Sequence, residues 1–110
     1  PIMHTVVVRR DLLEQRPELA QSVYRAFCAA KDVVSKRYRD GRILNHIDEM
    51  LPWVSELYDD NVDLFGDDWW PYGMAANRLP LDAFLRWHRE QGLSRLFRAD
   101  EIFVPELLGT

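Results

Sequence analysis

The sequence predicts an α+β domain that is mostly helical, with one N-terminal strand followed by about four helices. Residues 2–9 are rich in β-branched side chains, which favours a strand. Beyond residue 11, apolar side chains recur at three- and four-residue steps, as they do on helices that cover a core. With 110 residues, 47% of them hydrophobic, the chain can form one unit, which we expect to span residues 1–110.

Capping residues set the bounds of the first two predicted helices. Asp11 and Glu14 have the spacing of a capping box, which predicts a short helix over residues 12–15. Pro17 is typical of a helix start, and the apolar spacing that follows predicts a longer helix over about residues 17–39. Gly41 is then the expected stop of that helix.

Two further helical regions are predicted in the second half of the chain. The first covers about residues 46–64, is divided by Pro52 and ends at Gly66. The second begins at Pro80 and ends at Gly92. The expected apolar face of the first region consists of Trp53, Leu57 and Leu64.

Charge and composition exclude several classes of protein. There are 18 acidic against 14 basic residues, with a pI of about 5.3, whereas proteins that bind nucleic acid usually carry a basic surface. No apolar run approaches the roughly 20 residues that span a bilayer. One cysteine cannot form an internal disulfide framework. We therefore expect a cytoplasmic protein that binds neither nucleic acid nor membrane.

The predicted strand raises the question of its partner. The sequence opens on Pro1 and leads directly into the strand, and nothing later predicts a second full strand. Backbone donors and acceptors of a lone strand must pair elsewhere. We therefore expect a fragment of a longer protein, and an exposed strand edge through which two copies can form a homodimer.

Acidic residues are concentrated in the middle of the chain, where residues 43–77 contain eight acids and no Lys or Arg. Such a block indicates either a solvated face or a surface that meets a basic neighbour. Asp59, Asn61 and Asp63 match the first three ligands of a calcium loop. The required Gly and Glu are replaced by Leu64 and Trp70, so we do not expect calcium there.

Aromatic and polar residues between positions 69 and 78 form the densest candidate binding site. Trp70 and Tyr72 could stack on a flat ligand, while Asn77 and Arg78 could bind its polar groups, the guanidinium holding a carboxylate with two bonds. The alternative is structural: the tryptophans fasten a loop to the core, and Arg78 pairs with the acidic block. His4, in an apolar strand, has either a function at the edge of a cleft or a satisfied structural hydrogen bond.

Four segments together resemble the C-terminal part of the 4,5-dihydroxyphthalate decarboxylase family. They occur in this order along the chain: Pro1 to Asp11 (PIMHTVVVRRD), Trp69 to Gly73 (WWPYG) with Asn77-Arg78, Glu90 to Ser94 (EQGLS), and Asp100 to Pro105 (DEIFVP). The resemblance implies a two-lobed fold like that of type II periplasmic binding proteins, with a ligand cleft between lobes. Residues 2–9 would be the strand that returns to the first lobe, with His4 near the hinge.

The activity implied by this resemblance is decarboxylation of a dihydroxylated aromatic dicarboxylate, in the breakdown of aromatic compounds. In that case His4 is the expected catalytic acid or base, Arg78 the carboxylate clamp and Asn77 the residue that orients a hydroxyl, with Trp70 and Tyr72 also in contact with substrate. The reaction requires no organic cofactor and leaves the need for a metal open. The expected partner is a small aromatic carboxylate, and we expect this fragment alone to be inactive.

Two other functions fit the same residues. A solute-binding protein of a transporter would bind a small anion and release it unchanged, and would act in the periplasm. A structural interaction domain would instead use the acidic block and the strand edge, with no small ligand.

Overall fold

The computed structural model describes residues 4–44, 46 and 49–110, and the regular secondary structure of these residues is helical. Their helices, in chain order, are α1 (Arg10–Gln15), α2 (Leu19–Ile43), α3 (Val54–Phe65), α4 (Arg78–Glu90) and α5 (Ala99–Ile102), followed by a 3₁₀ turn over Pro105–Leu107. Within this part of the chain, no helix is both long enough and apolar enough to cross a membrane.

The predicted N-terminal strand is absent from the described residues, so the α+β prediction was wrong. Residues 4–9 are extended without a ladder, and no strand lies elsewhere in 4–44, 46 or 49–110 for them to pair with. Val6 and Val7 are 59% and 88% exposed. β-branched side chains favour a strand only where a neighbouring strand and a packed face are present, and neither is found here. The expected homodimer edge and returning strand lose their basis with it.

The helix starts and ends follow the sequence signals only in part. α1 covers the predicted residues 12–15 and begins two residues earlier. α2 continues past the expected stop to Ile43, and Gly41 is buried inside it. The helical signals of the flanking residues therefore extend past this glycine, which costs a helix about 1 kcal/mol relative to alanine without ending it. α4 begins at Arg78, two residues before Pro80, so the proline occupies the first turn, where its missing N–H costs no hydrogen bond.

The predicted helical region 46–64 is shorter in the structure. α3 begins only at Val54, after Trp53 with a left-handed φ of 61°, and ends at Gly66 with φ 80°, as predicted. Pro52 disfavours helical backbone in the residue before it, which explains the late start. Residues 47 and 48 of the predicted region lie outside the described residues. The side chains expected to form an apolar face are exposed, by 76%, 44% and 75% for Trp53, Leu57 and Leu64.

The chain divides into two compact units, and the division falls within α2. The first unit joins the residues up to Tyr24 with Pro71–Thr110, and the second is Arg25–Trp70. The core of the first unit lies where α4 packs on α5. It consists of Met74, Leu81, Leu85 and Ala99, with Phe97, Phe103 and Leu108 packed against them.

The second unit is held by ion pairs rather than by a buried core. Among its described residues no hydrophobic side chain is buried. Instead Arg42 of α2 donates to both carboxylate oxygens of Asp59 on α3, at 2.8 and 2.6 Å. Lys31 of α2 likewise donates to Asp68, just beyond α3. Part of the acidic block therefore meets a basic neighbour, which is the second of the two roles expected for it.

Candidate functional site

Asn77 organises the turn that precedes α4. Its side-chain amide donates to the carbonyl oxygens of Pro71 and Gly73, at 2.8 Å each. Gly73 has a φ of 97°, a conformation that glycine adopts without steric cost. Both amide hydrogens of Asn77 are used in this way, which leaves its Oδ1 atom to accept a further hydrogen bond. Tyr72 is half-buried in the same turn.

Arg78, the first residue of α4, is bound by two carboxylates. Its Nε donates to Asp82 at 3.0 Å, one helical turn ahead, and its Nη1 donates to Asp100 of α5 at 2.6 Å. Asp100 also accepts from Arg98 at 3.0 Å. Hydrogen bonds from Arg78, and then from Arg98, lower the pKa of the Asp100 carboxyl below its ordinary value. Arg78 thus pairs with carboxylates, but not with the acidic block that the structural alternative named, since Asp82 and Asp100 both lie outside residues 43–77.

The distance along the sequence between Arg78 and each of its two partners explains why only one of these ion pairs could be predicted. Arg78 and Asp82 are four residues apart on a helix, where opposite charges face each other, so the sequence already signals that pair. Asp100 lies 22 residues from Arg78, and no local pattern connects them. The same holds for Lys31 and Asp68, which are 37 residues apart.

His4 lies in the extended segment before α1 and is exposed. It belongs to the same unit as Tyr72, Asn77 and Arg78. Neither a hydrogen bond nor an ion pair joins His4 to Asn77 or Arg78. The structure therefore places these residues in one unit and joins only Asn77 and Arg78 directly, as neighbours at the start of α4.

Trp70 belongs to the other unit, where the loop after α3 closes on α2. The Lys31 ammonium holds this loop, since it donates to both Asp68 oxygens at 2.9 and 2.7 Å and to the carbonyl of Trp70 at 3.2 Å. Trp69 packs edge-to-face on Tyr58, with ring centroids 5.2 Å apart. Trp69 thus contacts α3, whereas the structural alternative expected the tryptophans to fasten this loop to the core, and no hydrophobic side chain is buried among the described residues of this unit.

A cavity of about 200 Å³ lies within this second unit, between α2 and the loop. Lys31, Ser35 and Tyr38 line it at helical spacing from α2, which places them on one face of that helix. Tyr58 of α3 and Trp69 supply aromatic surface on the other side. Sequence reasoning did not identify this cavity, because its two walls are 20 to 40 residues apart in the chain.

His88 and Ser94 form a second polar contact in the first unit, with Nδ1 and Oγ 2.7 Å apart. The serine hydroxyl donates its single hydrogen to the carbonyl of Arg95 at 2.8 Å. If the Ser94 hydrogen lies on that carbonyl, His88 Nδ1 is the donor of the His88–Ser94 hydrogen bond; the direction follows the tautomer of His88. In the described ranges no group of three or more His, Cys, Asp and Glu side chains could hold a metal ion.

Comparison with known proteins adds one partial relationship. No protein-family model matches the chain. The chain is 36% identical, over 109 residues, to a protein described as 4,5-dihydroxyphthalate decarboxylase from Comamonas testosteroni. The match covers 98% of this chain and 32% of that protein, so the chain spans about a third of its relative's length. The sequence is thus distantly related to part of a decarboxylase, as its ordered segments predicted.

Proposed function

We propose that the complete product of this gene decarboxylates a dihydroxylated aromatic dicarboxylate of the 4,5-dihydroxyphthalate type. The single observation that carries this proposal is the 36% identity to the Comamonas protein over nearly the whole chain. A match of this length contains all four segments that first suggested the resemblance. The relative's described activity is assigned here to the complete gene product and not to residues 1–110 alone.

The chemistry of the reaction defines what the site must supply. In 4,5-dihydroxyphthalate, each carbon that bears a carboxylate has a hydroxyl para to it. Removing the proton from that hydroxyl pushes an electron pair to the carboxylate-bearing carbon, which takes up a proton. The bond to the carboxylate then breaks, carbon dioxide leaves, and its electron pair restores the aromatic ring. The enzyme therefore needs a base, an acid and a group that holds the retained carboxylate.

The contacts around Asn77 and Arg78 are compatible with binding roles. Asn77 Oδ1 can accept from a phenolic hydroxyl, because the amide hydrogens are already fixed by the turn. Arg78 can hold a substrate carboxylate by exchanging one of its two carboxylate partners, Asp82 or Asp100. These ion pairs are partly exposed, and exposed pairs contribute little to stability, so the exchange is not costly.

His4 is the proposed acid or base, and Tyr72 of the same unit is proposed to contact the aromatic ring. Trp70, the other residue expected to contact substrate, belongs to the second unit. His4 is exposed, and a histidine that reaches solvent can exchange the proton that the ring carbon takes up. The remaining groups of the site come, in this proposal, from parts of the gene product that correspond to the unmatched two thirds of the relative.

Proton NMR in H₂O tests the reaction directly. 4,5-Dihydroxyphthalate has two equivalent ring protons and one aromatic signal, whereas its decarboxylation product has three inequivalent ring protons. The complete gene product should replace the single signal with three, and the 110-residue chain alone should not. Substrate signals that broaden without product would instead indicate a solute-binding protein. Signals unchanged in both samples would remove the proposal.

A pair of variants tests the proposed role of His4. His4→Asn in the complete gene product should abolish turnover, while Thr5→Ala, a change in the same extended and exposed segment, should leave it intact. Equal turnover in wild type and His4→Asn would show that His4 is not the acid or base.

A further inference from the structure

The cavity of the second unit has the size and the aromatic walls of a site for one ring. Its volume of about 200 Å³ is large enough for one aromatic ring, and it is open to solvent. Tyr58 and Trp69 lie in edge-to-face contact on one side, and this T-shaped pair offers ring faces and edges to a third ring. On the α2 side, the Ser35 hydroxyl can exchange a hydrogen bond with a ring substituent.

The charges at the cavity restrict the ligand further. The Lys31 ammonium and the Asp68 carboxylate form a bidentate ion pair, so their charges largely compensate. Arg39 also lines the cavity, is exposed, and has no ion-pair partner among the residues that the structure describes. A guanidinium in that state can hold a carboxylate with two parallel hydrogen bonds. Asp67 lines the same opening and would repel a second carboxylate on the ligand.

We propose that this cavity binds a hydroxylated aromatic monocarboxylate, with its ring against Tyr58 and Trp69 and its carboxylate on Arg39. The choice of ligand rests on the proposed function, since a dihydroxybenzoate is what remains when a dihydroxyphthalate loses one carboxylate. The cavity is thus a site for the product class. Trp70 lines it, whereas Asn77 and Arg78 at the start of α4 are the residues proposed for substrate. The cavity lies wholly within the second unit and depends on no residue of the first.

Isothermal titration calorimetry of the 110-residue chain tests this binding without any turnover. The probes are 3,4-dihydroxybenzoate, the uncharged ring 1,2-dihydroxybenzene, and 4,5-dihydroxyphthalate. We expect 3,4-dihydroxybenzoate to bind most tightly of the three, because it alone carries one carboxylate for Arg39 and no second charge near Asp67. Absence of binding up to millimolar concentration, or tighter binding of the dicarboxylate, would overturn the inference.

Three variants assign the binding to this cavity, with far-UV circular dichroism to confirm that each one is folded. Arg39→Gln should raise the Kd of 3,4-dihydroxybenzoate about fivefold, the effect of losing one exposed ion pair. The Kd of 1,2-dihydroxybenzene, which has no carboxylate, should not change. Ser35→Leu should raise the Kd of both ligands, because the larger side chain fills the cavity. Arg25→Gln, an exposed change on the same helix away from the cavity, should weaken neither.

The outcomes separate this inference from the proposed function. Equal loss of binding in Arg39→Gln and Arg25→Gln would show a non-specific charge effect and overturn the cavity as the site. A complete gene product that decarboxylates 4,5-dihydroxyphthalate, together with a chain that binds no dihydroxybenzoate, would remove this inference and keep the proposed function.

Discussion

Arg78 Nη1 lies 2.6 Å from Asp100 Oδ1, and this ion pair joins the first residue of α4 to α5. Arg98 donates to the second oxygen of the same carboxylate at 3.0 Å. Two guanidinium groups thus share one partly exposed carboxylate beside Ala99, the most deeply buried side chain of the core. The arrangement connects the candidate substrate-binding arginine to the packing of the first unit.

The lowered pKa of Asp100 predicts an acid-dependent loss of stability. Because the folded-state pKa lies below the ordinary value of 3.8, the carboxylate stabilises the fold fully above about pH 5 and loses this effect as pH falls through the folded pKa. Asp100→Asn should therefore be less stable than wild type at pH 7, and the difference should shrink towards pH 2. Urea unfolding followed by circular dichroism between pH 7 and 2 measures it.

Asp63→Asn is the matched control for this series, since Asp63 is exposed on α3 and has no ion pair in the described residues. At pH 7, Asp63→Asn should lower the free energy of unfolding by less than Asp100→Asn does. A gap between Asp100→Asn and wild type that stays constant down to pH 2 would refute the role assigned to the carboxylate charge.

Local signals in the sequence predict the helices well and their surroundings poorly. Gly66 ends α3 as predicted, because a left-handed φ is a property of the residue itself. Gly41 carries the same signal but lies inside α2, because glycine also adopts helical backbone. The strand over residues 2–9 fails because pairing depends on a partner that the local sequence does not specify.

The candidate site, too, could be predicted only in part from the sequence. Its residue types and their order along the chain are visible in the sequence. The partners that fix Arg78 and Lys31, at separations of 22 and 37 residues, depend on how the helices pack. Contacts of that range cannot be derived from spacing, so both Asp100 and the cavity of the second unit were missed.

Leu85 should be among the most costly residues to truncate in the first unit. It is 6% exposed in the α4–α5 core, and Leu85→Ala should lower the free energy of unfolding by about 2–4 kcal/mol through lost burial and the cavity left behind. Leu79→Ala, on the same helix but 82% exposed, should change it by less than about 0.5 kcal/mol. Urea unfolding of both variants gives the comparison, and equal losses would contradict the core described here.

Alanine substitutions at three glycines distinguish the cost of backbone strain from the cost of steric overlap. A Cβ at Gly73 would lie 2.8 Å from the carbonyl carbon of Thr110, and its φ is 97°. Gly66 has a φ of 80° and open space, while Gly109 has open space without a left-handed φ. Substitution by Ala should therefore cost roughly 1 kcal/mol at Gly66 and more at Gly73, with little loss at Gly109.

Thermal unfolding of the three alanine variants at one scan rate gives their order of stability. The predicted order, from most to least stable, is Gly109→Ala, Gly66→Ala and Gly73→Ala. If Gly73→Ala were as stable as Gly66→Ala, the close approach of Thr110 to this turn would not contribute, and the hydrogen bond from Ala75 N to the Thr110 carbonyl would be the contact to re-examine.

Asn77→Ala tests whether the turn before α4 depends on its side-chain amide. The change removes two hydrogen bonds, to the carbonyls of Pro71 and Gly73, from a half-buried position, and should cost about 1–2 kcal/mol of unfolding free energy. Asn61→Ala is the control, because that amide bonds within α3 and alanine is the better helix former, so stability there should stay the same or rise. Urea unfolding measures both. No loss of unfolding free energy in Asn77→Ala would show that the turn does not depend on this side chain, and an equal loss in Asn61→Ala would show that the effect is not specific to the turn.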